Sequence, residues 1–153
     1  MSKGGFLVAK VHQVAGRVFA RKLKDRGITD MSPARGRILF VLWEKDGIPV
    51  QELAARTGLE PSTLTRMLDR LEQSGHIRRE VWAGDRRKVL IHLTGPHQDV
   101  RPVYDEVSAD MTRLFYRGFG PSEVAFFESC LERILDNLEA IGGLGQGEGG
   151  KAE

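Results

Sequence analysis

The sequence predicts a mainly α-helical fold that carries one small β-hairpin. Apolar residues recur at helical spacing over most of the 153 residues, which is the pattern of helices that bury one face. Residues 77–93 alternate between apolar and polar side chains instead, as paired strands do. Proline and glycine stand where the helices are expected to begin and end. A chain of this length can bury its own core, so we expect one domain with helical extensions.

Two helices are predicted before the centre of the chain. The first spans residues 6–26, where cations crowd the C-terminal end and apolar side chains recur at helical spacing, namely Leu7, Val11, Val14 and Val18. The second runs from Pro33 to Glu44 with Ser32 as its N-cap. It is apolar around most of its circumference, so we expect it to be buried. Ile48 is expected to add a short strand to the hairpin.

Two short helices joined by a tight turn are predicted next. Pro49 is expected to begin the first of them, and Gly58 to end it as a C′ glycine. Pro61 suits the first position of the second helix, because its missing N–H costs nothing there. One side of this second helix is apolar; the other carries Ser62, Thr65, Arg66, Asp69, Arg70 and Gln73. Small hydroxyls and arginines at these positions are typical of a helix whose N-terminal end lies in the DNA major groove.

A β-hairpin with a basic tip follows these helices. Its strands are predicted over Ile77–Trp82 and Val89–Leu93, and in the second strand Val89, Ile91 and Leu93 should face inward. The connecting turn carries a charged group formed by Asp85, Arg86, Arg87 and Lys88. Cations at the tip of a β-ribbon favour contact with the phosphate backbone or the narrow minor groove.

This central stretch resembles the MarR family of winged helix-turn-helix regulators. The resemblance rests on the segment LTRMLDRLEQSG, on the Asp-x-Arg pattern at the hairpin tip, and on the Val-x-Ile-x-Leu-Thr strand of residues 89–94. The flanking helices match the family only in length and pattern. The resemblance implies a dimeric repressor or activator of a pseudo-palindromic operator, often released by a small ligand or by oxidation. It also implies that Arg87 enters the minor groove, oriented by Asp85, and that the major groove is faced by Pro61, Ser62, Thr65 and Arg66.

The terminal helices are expected to join two copies of the chain. After the hairpin, apolar stripes predict a long helix from about Pro96 to Gly118 and a last one from Pro121 to Ile141. Together with the first helix, these two helices offer more apolar surface than a small winged domain needs for its own core. We therefore expect an N-terminal dimerisation helix in 1–31, a winged helix-turn-helix DNA-binding domain in 32–94, C-terminal dimerisation helices in 95–141 and a disordered tail in 142–153. A monomeric bundle is the alternative.

Charge is distributed unevenly along the chain. Residues 1–49 hold ten Lys/Arg and four Asp/Glu, whereas residues 95–141 hold four Lys/Arg and nine Asp/Glu. A basic end and an acidic end are typical of a protein that turns one side to nucleic acid, although a solvated asymmetry without a partner gives the same pattern. No apolar run is long enough to span a bilayer, and the N-terminus does not resemble a signal peptide. We expect a cytoplasmic protein without a membrane partner.

The sequence offers no pattern for catalysis or for a metal. It lacks a glycine-rich phosphate loop, a Gly-x-Ser-x-Gly turn and a His-Glu-x-x-His helix, so we predict no enzyme and no cofactor. The four histidines, His12, His76, His92 and His97, lie on different predicted elements, and His92 and His97, though close in sequence, have no cysteine or carboxylate at metal-ligand spacing. Cys130, the single cysteine, stands between Glu128 and Glu132, which favours a structural or interface role over redox sensing.

We therefore predict a regulator that binds double-stranded DNA as a homodimer and responds to a small ligand. Arg66, with Arg70 as a second candidate, would contact bases or phosphates; Arg86 and Lys88 would assist Arg87. A phenolic effector would bind between the dimer helices and the winged domain, at a pocket lined by His12, Phe19, Arg37 and Trp43. The competing hypothesis is a winged-helix module that binds another protein without sequence-specific DNA binding.

Overall fold

The structure of the protein, a computed structural model, describes residues 1–95 and 97–141. In this part the chain forms α1 (Gly4–Asp25), α2 (Pro33–Glu44), β1 (Ile48–Pro49), α3 (Val50–Thr57), α4 (Pro61–Gln73), β2 (Ile77–Val81), β3 (Val89–Leu93), α5 (His97–Phe115) and α6 (Pro121–Glu139). It divides into two compact units, Met1–Thr112 and Arg113–Glu153. The predicted fold class, mainly α with a small β-wing, is confirmed. Pro96 and the expected tail, 142–153, lie outside the described residues.

Helix α2 supplies the centre of the first unit. The Ser32 hydroxyl caps it by accepting a hydrogen bond from the Arg35 backbone N–H at 3.2 Å, and Pro33 takes the first helical position. The prediction of a buried second helix is confirmed. The core cluster of buried apolar residues contains Leu23, Met31, Ile38, Leu39, Val41, Leu42, Ile48, Leu53, Leu64, Leu68, Leu71, Ile77, Ile91, Val100 and Val107.

The three strands form one antiparallel sheet in the order β1-β3-β2. Ile48 pairs with Ile91, which confirms the short strand expected there. In the hairpin, Arg79 pairs with Ile91 and Arg78 pairs with His92. Paired residues of antiparallel strands share a face, so Arg79 is on the side of the fully buried Ile91 and Arg78 is on the other.

Several element boundaries differ from the sequence-based prediction; α1 spans Gly4–Asp25 rather than 6–26, and α6 ends at Glu139 rather than Ile141. Pro49 does not begin α3: it pairs with Leu90 in β1 and holds the extended N-cap conformation before Val50. Strand β2 stops before Trp82, whose carbonyl accepts the Asp85 N–H at 3.1 Å and so starts the turn. Helix α5 ends at Phe115 rather than Gly118, where the backbone has a left-handed φ of 87°.

Helices α2 and α5 approach each other closely at Gly36. The Tyr104 ring of α5 packs edge-on against Phe19 and Trp43, with ring centroids 5.1 and 5.2 Å apart. A Cβ atom at Gly36 would lie 2.7 Å from Cε2 of Tyr104. The absent side chain at Gly36 therefore makes room for the aromatic cluster of Phe19, Trp43 and Tyr104.

Helix α1 contributes only its C-terminal part to the core. Leu23 is its one buried residue, and Arg26, just after the helix, forms ion pairs with Glu106 and, at 3.1 Å, with Asp110 of α5. Large apolar side chains of its N-terminal half are exposed, namely Phe6, Leu7, Val8, Val11 and Val14. This chain leaves that apolar face of α1 uncovered.

The second unit contains the end of α5 and the whole of α6. Four of its aromatic rings form one connected cluster, those of Phe115, Tyr116, Phe119 and Phe127. The Tyr116 hydroxyl donates to a Glu128 carboxylate oxygen at 2.8 Å, which raises the pKa of Tyr116 above its usual value. No residue of α6 is buried, and its exposed apolar side chains include Phe126, Ile134, Leu135 and Leu138.

Across the two described segments of the chain, no helix is both long enough and apolar enough to cross a bilayer.

Candidate nucleic-acid interface

Helix α4 is seated by its apolar side. Leu64, Leu68 and Leu71 are each 1% exposed and belong to the core cluster, which fixes how the helix faces solvent. Glu60 precedes the helix without a side-chain cap, as expected from its weak capping tendency, and Pro61 occupies the first turn. The predicted contact residues of α4 are all exposed; they are Pro61, Ser62, Thr65, Arg66 and Arg70.

The turn between α3 and α4 is held by a small polar network. Gly58 ends α3 with a left-handed φ of 68°, a conformation that glycine adopts without strain. The buried Thr57 hydroxyl donates to the Leu53 carbonyl at 2.7 Å, and Arg37 of α2 donates to the Thr57 carbonyl at 3.3 Å. These bonds attach the turn to α2 and α3 and so fix where α4 begins.

Arg66 and Arg70 present their charges to solvent on α4. Among the residues that the structure describes, neither guanidinium forms an ion pair, and both side chains are exposed. The Asp69 carboxylate, on the same helix, pairs instead with Arg79 of β2. The Thr65 hydroxyl donates to the Pro61 carbonyl at 3.0 Å, so in this state it offers a ligand only its acceptor lone pairs.

The wing, residues 77–93, presents its cations at a structured tip. The Asp85 carboxylate accepts the Arg87 backbone N–H at 2.9 Å and lies 4.0 Å from Nε of Arg87. The Arg87 side chain is 96% exposed. Arg86 and Lys88 are also exposed, so the tip directs three cations to solvent.

Trp82 packs across the base of this tip. Its ring lies over Gly84, where an added Cβ atom would come within 2.9 Å of the indole, and Nζ of Lys88 lies 5.4 Å from the ring centroid. This cation–π contact limits the directions that Lys88 can take. Trp82 was predicted only as the last residue of a strand, without this role.

Arg79 joins the wing to α4. Its Nη2 lies 2.7 Å from Oδ1 of Asp69, and its Nη1 lies 3.1 Å from Oε1 of Glu72. The Arg79 backbone N–H also donates to Oε2 of Glu72 at 3.2 Å. Arg79 was not among the predicted site residues; the signal available in the sequence was a pair of acids three positions apart on α4, followed by a cation in the next strand.

A cleft of about 270 Å³ lies between α1, α2 and α5 of the first unit. It is lined by His12, Phe19 and Arg37, three of the four residues predicted for an effector pocket, together with Ala15, Gly16, Pro33, Phe40, Tyr104 and Met111. Trp43, the fourth, does not line it, because its ring is packed against Tyr104. Burial raises the pKa of Tyr104, so its hydroxyl stays protonated at neutral pH.

A metal centre and a reactive thiol are two further kinds of site, apart from the surface of α4 and the wing and apart from the cleft. Within residues 1–95 and 97–141, no group of three or more His, Cys, Asp or Glu side chains could hold a metal ion. Cys130 is a free, partly exposed thiol on α6 in the second unit. Its structural or interface role stays a prediction.

The arrangement of α3, turn and α4, followed by a basic β-wing, defines a winged helix-turn-helix protein. A family model described as the MarR family matches residues 31–89. Over 113 residues the chain is 31% identical to the uncharacterized HTH-type transcriptional regulator YfiV of Bacillus subtilis, a match that covers 72% of this chain and 71% of YfiV. This chain therefore belongs to the MarR family of transcriptional regulators.

Two further comparisons agree with this placement. The HTH-type transcriptional regulator TtmR of Methylorubrum extorquens is 49% identical over 57 residues, which cover 37% of this chain but only 29% of TtmR. A crystal structure of a mutant MarR from E. coli, complexed with operator DNA, is 27% identical with a TM-score of 0.77. That match covers 86% of this chain and 92% of the E. coli chain.

Proposed function

We propose that the protein is a transcriptional repressor that binds double-stranded DNA sequence-specifically, as a homodimer on a pseudo-palindromic operator. The observation that carries the proposal is the exposed surface of α4, where Arg66 and Arg70 are unpaired among the described residues and lie beside a wing with an exposed Arg87. The E. coli structure in complex with operator DNA, which shares this fold, supports the proposal.

In this proposal α4 lies in the major groove with its N-terminal end toward the bases. Arg66 contacts a base edge or a phosphate, and Arg70 is a second candidate for the same role. The N-terminal end of α4 that lies closest to the DNA is formed by Pro61, Ser62 and Thr65. The hydroxyls of Ser62 and Thr65 make short hydrogen bonds to the DNA. Arg87 inserts into the minor groove while Asp85 restrains it, and the neighbouring backbone is bound by Arg86 and Lys88.

The proposed dimer uses the helices at both ends of the chain. The N-terminal half of α1 exposes an apolar face, and α6 exposes another along Phe126, Ile134 and Leu138. Large exposed apolar patches mark interaction sites, and a second copy of the same chain would cover equivalent faces on both partners. The two α4 helices would then lie about one DNA turn apart, roughly 34 Å. In this proposal the dimerisation helices lie in 1–31 and 95–141, and the winged DNA-binding domain lies in 32–94.

A small-molecule effector would act at the cleft of the first unit. His12, Phe19 and Arg37 offer a ring nitrogen, an aromatic surface and a cation, which suits an aromatic ligand with an acidic group, such as a phenol. The protein would act in the cytoplasm by binding alone, without catalysis. Phenolic carboxylates added during titration of a labelled duplex should lower the affinity of the protein for DNA. Unchanged affinity would exclude phenolic carboxylates as effectors.

Titration of a labelled duplex at several salt concentrations tests the proposed function. We expect binding that persists at physiological salt, with log Kobs falling linearly against log[salt] between about 50 and 200 mM as phosphate counterions are released. A matched single strand should bind more weakly, because it has no major groove to receive α4. Failure to bind any duplex would contradict the proposal and favour a winged-helix module whose partner is a protein.

A further inference from the structure

The exposed face of α4 carries acids as well as arginines. Asp69 stands three positions after Arg66 and is exposed on the same side of the helix, and Glu72 is exposed one turn after Asp69. Residues three apart on a helix are neighbours, so an unrestrained Asp69 would pair with Arg66. Either carboxylate would also repel a phosphate brought to this face. A DNA-binding α4 therefore needs something to occupy these acids.

Arg79 occupies both of them with one guanidinium. Its two terminal nitrogens lie 2.7 Å from Asp69 and 3.1 Å from Glu72, and its backbone N–H holds the second oxygen of Glu72. The Arg79 side chain is 27% exposed, less than the side chain of either acid, so its guanidinium is the most shielded of the three charged groups. A forked guanidinium can hold two carboxylates in fixed directions, which a lysine cannot.

The neighbouring cation in the same strand provides a natural contrast. Arg78 is on the opposite face of β2, is 56% exposed, and pairs with Glu80 at 3.1 Å within its own strand. Arg78 and Arg79 therefore carry the same charge at adjacent positions. Of the two, Arg79 bonds to the acids of α4.

We propose that Arg79 is a positioning residue for DNA binding, which holds Asp69 and Glu72 against the wing and so leaves Arg66 free for the DNA. This inference rests on the proposed function and deepens it. The wing and α4 are thereby coupled: the strand that leads to the minor-groove cations also neutralises the acids of the major-groove helix. Loss of Arg79 would expose two carboxylates and let Asp69 draw Arg66 away from the DNA.

The test compares Arg79→Gln with Arg78→Gln in the full chain, by duplex titration at fixed salt. Both substitutions remove one positive charge. Arg79→Gln should weaken binding by at least about tenfold more than Arg78→Gln, because only the former exposes two like charges to the phosphates. Urea unfolding of both variants corrects each affinity for its folded fraction. Equal losses in the two folded variants would overturn the proposal.

A rescue experiment separates neutralisation of the acids from general damage to the fold. Asp69→Asn with Glu72→Gln should restore most of the lost affinity in the Arg79→Gln background and change affinity little in the wild-type background. An equal gain in both backgrounds, or no rescue, would overturn the role of Arg79 while leaving DNA binding by the wild type intact. Absence of duplex binding by the wild type would overturn the proposed function and, with it, this inference.

Discussion

At the scale of single residues, Arg87 is a proposed contact whose side chain is almost fully exposed. Its side chain is 96% exposed, and its only ion-pair partner among the described residues is Asp85, at 4.0 Å in its own turn. A pair this long and this exposed costs little to break. Arg87 can therefore leave Asp85 for a phosphate or the minor groove without a large loss of stability.

Arg87→Ala should weaken duplex binding and lower the slope of log Kobs against log[salt] by about one, because one phosphate contact is lost. The free energy of unfolding should stay within about 0.5 kcal/mol of the wild-type value, as for other exposed substitutions. Fluorescence anisotropy at four salt concentrations measures the slope.

Arg101→Ala serves as the control for Arg87→Ala, since it removes the same charge from α5, where Arg101 pairs with Asp105 at 3.9 Å. The control should leave the salt slope unchanged. A slope that falls equally in both variants would mean that Arg87 acts through net charge alone and makes no phosphate contact.

Some single-residue roles could be predicted from the sequence and others could not. Ser32 and Gly58 were predictable because capping and left-handed turns depend on neighbours in the chain. Arg79 was not, because its role depends on how β2 returns beside α4, ten positions away from Asp69. The same dependence on distant contacts affects the predicted effector pocket. Trp43 is aromatic and suitably placed along α2, but its ring packs against Tyr104.

At the scale of elements, the contact between α2 and α5 depends on Gly36. Alanine there would favour the helix by roughly 1 kcal/mol. Its Cβ atom, however, would lie 2.7 Å from Tyr104, whose ring is confined by Phe19 and Trp43. Overpacking of this kind costs about 1–3 kcal/mol.

Gly36→Ala should therefore lower the free energy of unfolding, measured by urea denaturation, by up to about 2 kcal/mol once the helix gain is subtracted from the overpacking cost. Gly16→Ala is the matched control, because Gly16 is also inside a helix and an added Cβ atom there would make an ordinary contact of 3.4 Å with Pro33. The control should be neutral or stabilising by up to roughly 1 kcal/mol. Equal effects in the two variants would contradict the close approach of Tyr104.

The types of the elements were predictable and their exact ends were not. The apolar spacing that predicted six helices reflects which faces are buried, and the structure confirms all six. Pro49 was assigned to α3 and Trp82 to β2, but the structure places neither residue there. Pro49 pairs with Leu90 in β1, and the Trp82 carbonyl accepts a hydrogen bond from Asp85 in the turn. Both conformations depend on these partners.

At the scale of the whole molecule, charge and apolar surface indicate different partners. The chain carries a net charge of only +2, so in the proposed function the attraction to DNA comes from local groups such as Arg66, Arg70 and the wing tip. The exposed apolar faces of α1 and α6 favour a second copy of the chain. The sequence indicated both surfaces, but it holds no convergent polar set that identifies an effector or an operator.

Selection from a pool of random duplexes at physiological salt, with sequencing of the retained molecules, tests the central claim most directly. We predict recovery of an inverted repeat whose half-sites lie about one helical turn apart, bound by a protein of twice the mass of one chain. A single unrepeated motif would contradict the dimeric arrangement. Recovery of no motif, with only weak and salt-sensitive binding, would contradict sequence-specific recognition by α4 and the wing.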